Sequence, residues 1–248
     1  MMGGPLGALL GAALGHSLDS GMKQLGMEEL ASGDQQRVQT AFFTSVFSVM
    51  GHLAKADGRV TEKEINAARQ VMAQMQLSEE QKKVAIALFN EGKRESFDLD
   101  AVLYQFRHEC QRRSNLLQMF VEILLATALA DGELHPHEQR LLVKVAETIG
   151  FSRRQFEQLL AMAVAQQRYA GFNQQSQTPP LHNAYKALGV SEDVSDAELK
   201  KAYRRLMSQH HPDKLLAKGL PEEMVKLATE KTQEISSAYK QIIAARSN

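Results

Sequence analysis

Residues Ser195–Asp213 read SDAELKKAYRRLMSQHHPD, and this stretch decides the fold of the C-terminal third. Ser195 and Glu198 have the spacing of a capping box, in which two orphan helix donors are satisfied reciprocally. On the helix that follows, Leu199, Ala202, Tyr203 and Leu206 make one apolar stripe, and Lys200, Lys201, Arg204 and Arg205 make the other side basic. The helix ends at His210-His211-Pro212-Asp213, because Pro212 cannot continue the hydrogen-bond ladder and biases His211 away from helical geometry. A fixed corner therefore follows the basic face. Upstream, Leu181–Leu188 reads as a short helix with Tyr185 and Leu188 on one face and Gly189 at its stop. Downstream, after a loop through Gly219, the spacing predicts a long helix from near Pro221. It carries Met224, Leu227, Ala228, Lys231, Ile235, Ala238, Tyr239 and Ile242. Two antiparallel helices with a shorter one across them would bury these stripes together.

The basic helix ending in His211-Pro212-Asp213, between a short and a long helix, resembles the J domain. The tripeptide alone is a weak signal; at the end of a basic amphipathic helix it is specific. The resemblance implies a mechanism by contact, with no catalytic group and no cofactor in this chain. Lys200, Lys201, Arg204 and Arg205 would dock on an acidic surface of a DnaK-type ATP-dependent chaperone, and His211, Pro212 and Asp213 would trigger its ATP hydrolysis. No glycine-phenylalanine-rich region and no cysteine-rich zinc module accompany it, so clients are expected to be selected by the N-terminal portion.

From Asp34 to Tyr169 the chain reads as helix after helix. Apolar residues recur at three and four spacing, as in Val46, Phe47, Met50, Leu53 and Ala54, and in Phe120, Val121, Leu124 and Ala128. No alternating strand pattern competes, so the expected class is all-α. Thr61 with Glu64, and Ser78 with Gln81, match capping boxes, and Pro136 suits a first helical turn. The element Ala56-Asp57-Gly58-Arg59-Val60, with Glu64 beyond, is echoed by Ala130-Asp131-Gly132-Glu133-Leu134, with Glu138 beyond, as in a pseudo-repeat of two helical hairpins. Asp57, Gly58, Val60 and Glu64 match part of a calcium loop, but Leu53 and Lys55, or Thr127 and Leu129 in the second copy, stand where carboxylates are required. Asp57, Glu64, Asp131 and Glu138 are thus weak metal candidates, and a helix-to-helix turn is the expected role. His135 and His137 flank Pro136 without the four-residue spacing that aligns two ligands on one helical face. Residues 171–180 have almost no core-forming side chain and end in two prolines, which predicts a mobile linker between a helical domain over 34–170 and the unit over 181–248.

The N-terminus is different again. Met1–Leu18 carries no charge, and Gly3, Gly7, Gly11 and Gly15 recur every fourth residue, a stripe along which another membrane helix can approach closely. As a helix those 18 residues would span about 27 Å, against a hydrocarbon core of about 30 Å, so residues 1–20 are expected to be a short anchor followed by a connector over 21–33. If it inserts, Lys23 and Arg37 keep the remainder cytoplasmic. No basic n-region marks a secretory signal. The 248 residues carry zero formal net charge, which disfavours a nucleic-acid partner, and the lone Cys110 offers neither a disulfide nor a zinc pair, as suits a reducing compartment. The order of parts resembles the DjlA-type membrane-anchored J-domain co-chaperones, whose middle portion is similar to the TerB tellurite-resistance domain. That resemblance implies inner-membrane anchoring by one N-terminal helix, with the domains in the cytoplasm, and self-association through that helix. The competing expectation is a metal-responsive or stress-signalling helical scaffold in which the J domain is secondary.

Overall fold

The computed structural model describes residues 3–14, 34–56, 62–130, 134–174 and 180–247, and every regular element among them is a helix. In chain order these are α1 (Gly4–Leu14), α2 (Asp34–Ala54), α3 (Glu62–Gln74), α4 (Glu79–Gly92), α5 (Leu99–Glu109), α6 (Ser114–Ala128), α7 (Pro136–Thr148), α8 (Arg153–Gln174), α9 (Leu181–Ala187), α10 (Asp196–His210), α11 (Pro212–Ala217) and α12 (Val225–Arg246), with a 3-10 turn at Glu222–Met224.

Helix α2 is the axis of the middle unit. Its residues from Val38 on are apolar or small on nearly every side, and it is buried all round, as such a helix must be. Phe42 on α2 meets Phe106 of α5 and Phe120 of α6 edge-on, with ring centroids 5.9 and 6.3 Å away. The tightest crossing is between α2 and α4. A Cβ on Gly51 would lie 2.0 Å from the Phe89 carbonyl oxygen, and one on Gly92 would lie 1.8 Å from that of Ser48. Two backbones can touch here because both helices present glycine at the contact. The predicted capping box at the start of α4 is present: Ser78 Oγ accepts from the Gln81 N–H at 3.2 Å, and Gln81 Oε1 accepts from the Ser78 N–H at 2.9 Å. The Thr61 end of the other predicted box lies outside the described residues.

The C-terminal unit is a hairpin of α10 and α12 crossed by α9, around Tyr185, Leu188, Leu199, Leu206, Ile235, Ala238 and Ile242. Tyr203 stacks on Tyr239 with centroids 4.2 Å apart. Arg246 ties the end of α12 to the start of α10. Its guanidinium pairs with Asp196 at 2.5 Å and donates to the Val194 carbonyl at 2.7 Å and to Tyr185 Oη at 2.8 Å.

Two features depart from expectation, and the expected anchor over residues 1–20 is described only for residues 3–14. The chain after the corner is not a loop up to Pro221: Pro212 is the first residue of α11, where its missing N–H and preset φ suit a helix start, and Gly219 with φ +95° makes the turn only afterwards. The composition change at Gly171 does not end α8, which continues through Gln174. No proline intervenes before Pro179 to stop the helix at Gly171; residues 175–179 lie outside the described residues. Among the described residues, helix α1 runs over Gly4–Leu14 and lies on α4 and α5, with Leu6 and Leu10 buried. Gln105 holds its start, accepting from the Leu6 N–H at 2.8 Å and donating to the Gly3 carbonyl at 2.6 Å. Among the described residues no helix is long and apolar enough to cross a membrane. Gly3 precedes the helix and is exposed, Gly7 and Gly11 are half-buried, and Gly15 lies outside the described residues.

The α2–α4 crossing generates a test. Gly92→Ala is expected to cost about 3 kcal/mol, the upper part of the usual overpacking range, because backbone rather than a flexible side chain must give way. Gly3→Ala, whose Cβ meets nothing within 4 Å, should leave the urea midpoint unchanged.

Candidate functional site

Helix α10 sorts its side chains by face. Ser195 Oγ accepts from the Glu198 N–H and the Glu198 carboxylate accepts from the Ser195 N–H, both at 3.3 Å, so the predicted box sets where the helix begins. Leu199, Ala202 and Leu206 face the core, while Lys200, Lys201, Arg204 and Arg205 are exposed. Among the described residues, none of these four cations has a carboxylate within 4.0 Å. They form a stripe of uncompensated positive charge.

The stripe leads into the corner. His211 leaves the helix with φ −60° and ψ 123°, and its Nδ1 accepts from the Asp213 N–H at 3.2 Å, capping α11. Pro212 occupies the first position of α11, and Lys214 Nζ donates to Ser208 Oγ at 2.8 Å, tying the new helix back to the old. The Asp213 side chain is 90% exposed and that of His211 45%. The three corner residues thus stand together, accessible, at the end of the basic face.

One turn of geometry beyond the visible motif is buried. His210 continues the apolar stripe, four residues after Leu206, and its ring is enclosed between the two units. Nδ1–H donates to the Leu206 carbonyl at 2.9 Å, and Nε2–H donates to the Glu122 carboxylate of α6 at 2.8 Å. Both ring nitrogens face acceptors, so the geometry calls for imidazolium. Burial alone pushes the Glu122 carboxyl up; the His210 and Lys231 charges and hydrogen bonds from His210 and Gln118 outweigh that and hold it down to about 2. For His210, burial favours the neutral ring, but the Glu122 charge and hydrogen bond prevail and raise its pKa above 6.5.

Polar contacts surround this pair. Asn115 Nδ2 donates to the Gln209 carbonyl at 3.0 Å, Lys218 Nζ donates to Asn115 Oδ1 at 3.1 Å, and Gln166 Nε2 donates to the Ala187 carbonyl at 3.2 Å. Leu215, Leu220, Met224 and Ala228 enter the same apolar cluster as Phe42 and Phe120. The C-terminal unit is therefore seated on the middle unit by its apolar side. Sequence reading missed Glu122 and the role of His210. A carboxylate inside the apolar run Phe120–Leu125 and a histidine on an apolar stripe are the available signals, but neither identifies the other.

Of the four metal candidates, Glu138 alone has a described side chain. Asp57 and Asp131, and the side chain of Glu64, lie outside the described residues. Glu138 is buried and accepts from the His135 N–H at 3.0 Å, capping α7. Among the described residues no group of three or more His, Cys, Asp or Glu could hold a metal ion. Cys110 is buried, and desolvation pushes its thiol up to about 12, so it is not a reactive thiolate at neutral pH.

Comparison with known proteins matches this layout part by part. The family model described as tellurite resistance protein TerB matches residues 43–161, the DnaJ domain matches residues 183–246, and the co-chaperone DjlA transmembrane domain matches residues 1–25. Proteins named co-chaperone protein DjlA are similar throughout. That of Coxiella burnetii is 45% identical, covering 100% of this chain and 94% of its own length. Those of Photorhabdus laumondii and Yersinia pestis are each 44% identical, covering 94% and 95% of this chain and 89% and 90% of their own lengths. No solved structure matches the chain.

The buried pair sets a pH window. The carboxylate's contribution is present above about 4.5 and is lost as pH falls through its depressed folded value; the imidazolium's is present below about 6.5 and is lost as pH rises through its raised folded value. Glu122→Gln should therefore be most damaging between those limits, by about 3 kcal/mol for an orphaned buried charge. The deficit in urea unfolding free energy should shrink at alkaline pH.

Proposed function

The chain belongs to the DjlA co-chaperone family, and from that premise we propose that it stimulates ATP hydrolysis by a DnaK-type chaperone through its C-terminal J domain. The observation that carries this is the His211-Pro212-Asp213 corner, with Asp213 exposed and His211 half exposed, at the end of a basic face whose cations make no ion pair among the described residues, with the opposite face of the same helix buried. Lys200, Lys201, Arg204 and Arg205 steer and orient the encounter with an acidic surface, as exposed charges at an interface rim do. The corner then presses on the partner. Its backbone is held by Pro212 and by the His211–Asp213 cap, so little ordering remains when contact is made. The chain supplies no catalytic group; hydrolysis occurs in the partner, whose states the J domain must bind unequally for the balance to move.

The J domain performs this while seated on the middle unit. Seating uses α9 against α8, the residues Leu215, Leu220, Met224 and Ala228, and His210 at the end of α10, while Lys200, Lys201 and Arg204 stay exposed to the partner. The N-terminal segment holds the assembly at the cytoplasmic face of the inner membrane, with Gly3, Gly7, Gly11 and Gly15 as the stripe for self-association. Insertion exchanges the contact of Leu6 and Leu10 with α4 and α5 for contact with lipid.

Steady-state ATP hydrolysis by DnaK with added protein tests the reading. Wild type should stimulate and His211→Gln should not, while urea unfolding shows the variant still folded and less stable by no more than about 1 kcal/mol, the usual worth of a cap such as the one His211 gives α11. Full stimulation by folded His211→Gln would sink the proposal.

A further inference from the structure

A second concentration of positive charge lies in the middle unit, far in sequence from the J domain. The end of α2, the end of α4 with the residues after it, and α7 enclose a cleft of about 470 Å³. Its wall includes His52, Lys55, Lys93, Arg94, Arg140 and Lys144, and its only carboxylate among the described residues is Glu95. The whole chain has zero formal net charge, so this clustering is a local arrangement.

Two of the cations already have partners: Arg94 pairs with Glu91 at 3.1 Å and Lys144 with Asp100 at 2.9 Å. Among the described residues, Lys55, Lys93 and Arg140 have no carboxylate within 4.0 Å. Lys93 sits over the Phe89 ring, 5.3 Å from its centroid, and Arg140 Nη2 lies 3.0 Å from His137 Nδ1. Helix electrostatics explain part of this set. Lys93 caps the C-terminus of α4 and Lys55 follows that of α2, where cations are favoured. They do not explain Arg140, which stands near the N-terminal end of α7, where the helix dipole disfavours cations and attracts anions.

The floor of the cleft is firm. His52 is partly buried beside the Gly51–Gly92 crossing, its Nδ1–H donates to the Gly92 carbonyl at 3.3 Å, and its ring lies against Phe97 with centroids 5.1 Å apart. That bond leaves Nε2 as its free polar atom. Burial, with the nearby Lys144 and Lys55 charges, holds the ring's pKa below 6.5, so His52 is a neutral polar group among the cations of the cleft. The volume falls in the range of small-ligand sites and exceeds what a single inorganic anion fills. Arg140 adds a planar fork suited to phosphate oxygens, and the lysines add mobile point charges.

We propose that this cleft binds a phosphate-bearing anion carrying more than one negative charge or an organic group beyond the phosphate. The chemistry is shared by soluble polyphosphate compounds and by anionic phospholipid headgroups, and it is independent of the J domain.

The test uses the full chain with two probes, inorganic pyrophosphate and vesicles of phosphatidylglycerol with phosphatidylethanolamine, followed by calorimetry and by the NMR signals of the His52 ring. Lys93→Glu with Arg140→Glu alters the cleft; Lys200→Glu with Arg204→Glu alters the other basic surface as the control. Binding that shifts the His52 ring and weakens at least about tenfold in the cleft variant, but not in the control, supports the site. A response to pyrophosphate assigns a soluble ligand, and a response to vesicles alone assigns a lipid headgroup. Should the double reversal fail to fold, Arg140→Gln at an exposed position replaces it. An unmoved His52 ring with both probes, or a cleft variant that binds both like wild type, overturns the proposal.

Discussion

The ion pair between His210 and Glu122 is the contact on which the arrangement of the two units depends. Either group alone would be costly to bury; together, with Leu206 and Gln118 satisfying further hydrogen-bonding positions, they form a neutral and directional unit. Hydrophobic contact is non-directional and would allow the J domain to slide on the middle unit. A buried imidazolium held by Leu206 of its own helix and by Glu122 of the other unit fixes where the end of α10 meets α6. Because His210 immediately precedes the corner, the orientation of His211, Pro212 and Asp213 is inherited from a residue on α6.

Charge is distributed by the same logic throughout. The formal sum is zero, yet the cations stand in separate places: a stripe on α10 that faces outward and a cleft bounded by α2, α4 and α7. Both rest on rigid supports. The stripe is backed by the apolar face of α10, and the cleft by the glycine crossing of α2 and α4.

Much of the fold was legible because helical periodicity and capping are local. The boxes at Ser78 and Ser195, the amphipathic α10 and the stop before Pro212 follow from residues within a few positions of each other. The boundaries that failed were those decided by context. Gly171–Gln174 look like linker by composition but complete α8, and the residues after Pro212 look like a loop although proline begins a helix as well as ending one. The α2–α4 crossing shows why glycines resist interpretation, since Gly51 and Gly92 matter only because they meet. The basic face of α10 was visible as a pattern, whereas the Glu122 seat and the cationic cleft assemble residues separated by tens of positions. No periodicity connects those.

The central claim is that the J domain works from a fixed seat, and the distance between the units measures it most directly. Spin labels at Tyr104→Cys on α5 and Lys240→Cys on α12 both stand on exposed positions, and the buried Cys110 thiol stays unlabelled. Pulsed dipolar spectroscopy should give one narrow distance distribution, unchanged when a DnaK-type chaperone and ATP are added. A broad distribution in the free protein, or a second distance on adding the partner, would contradict the account.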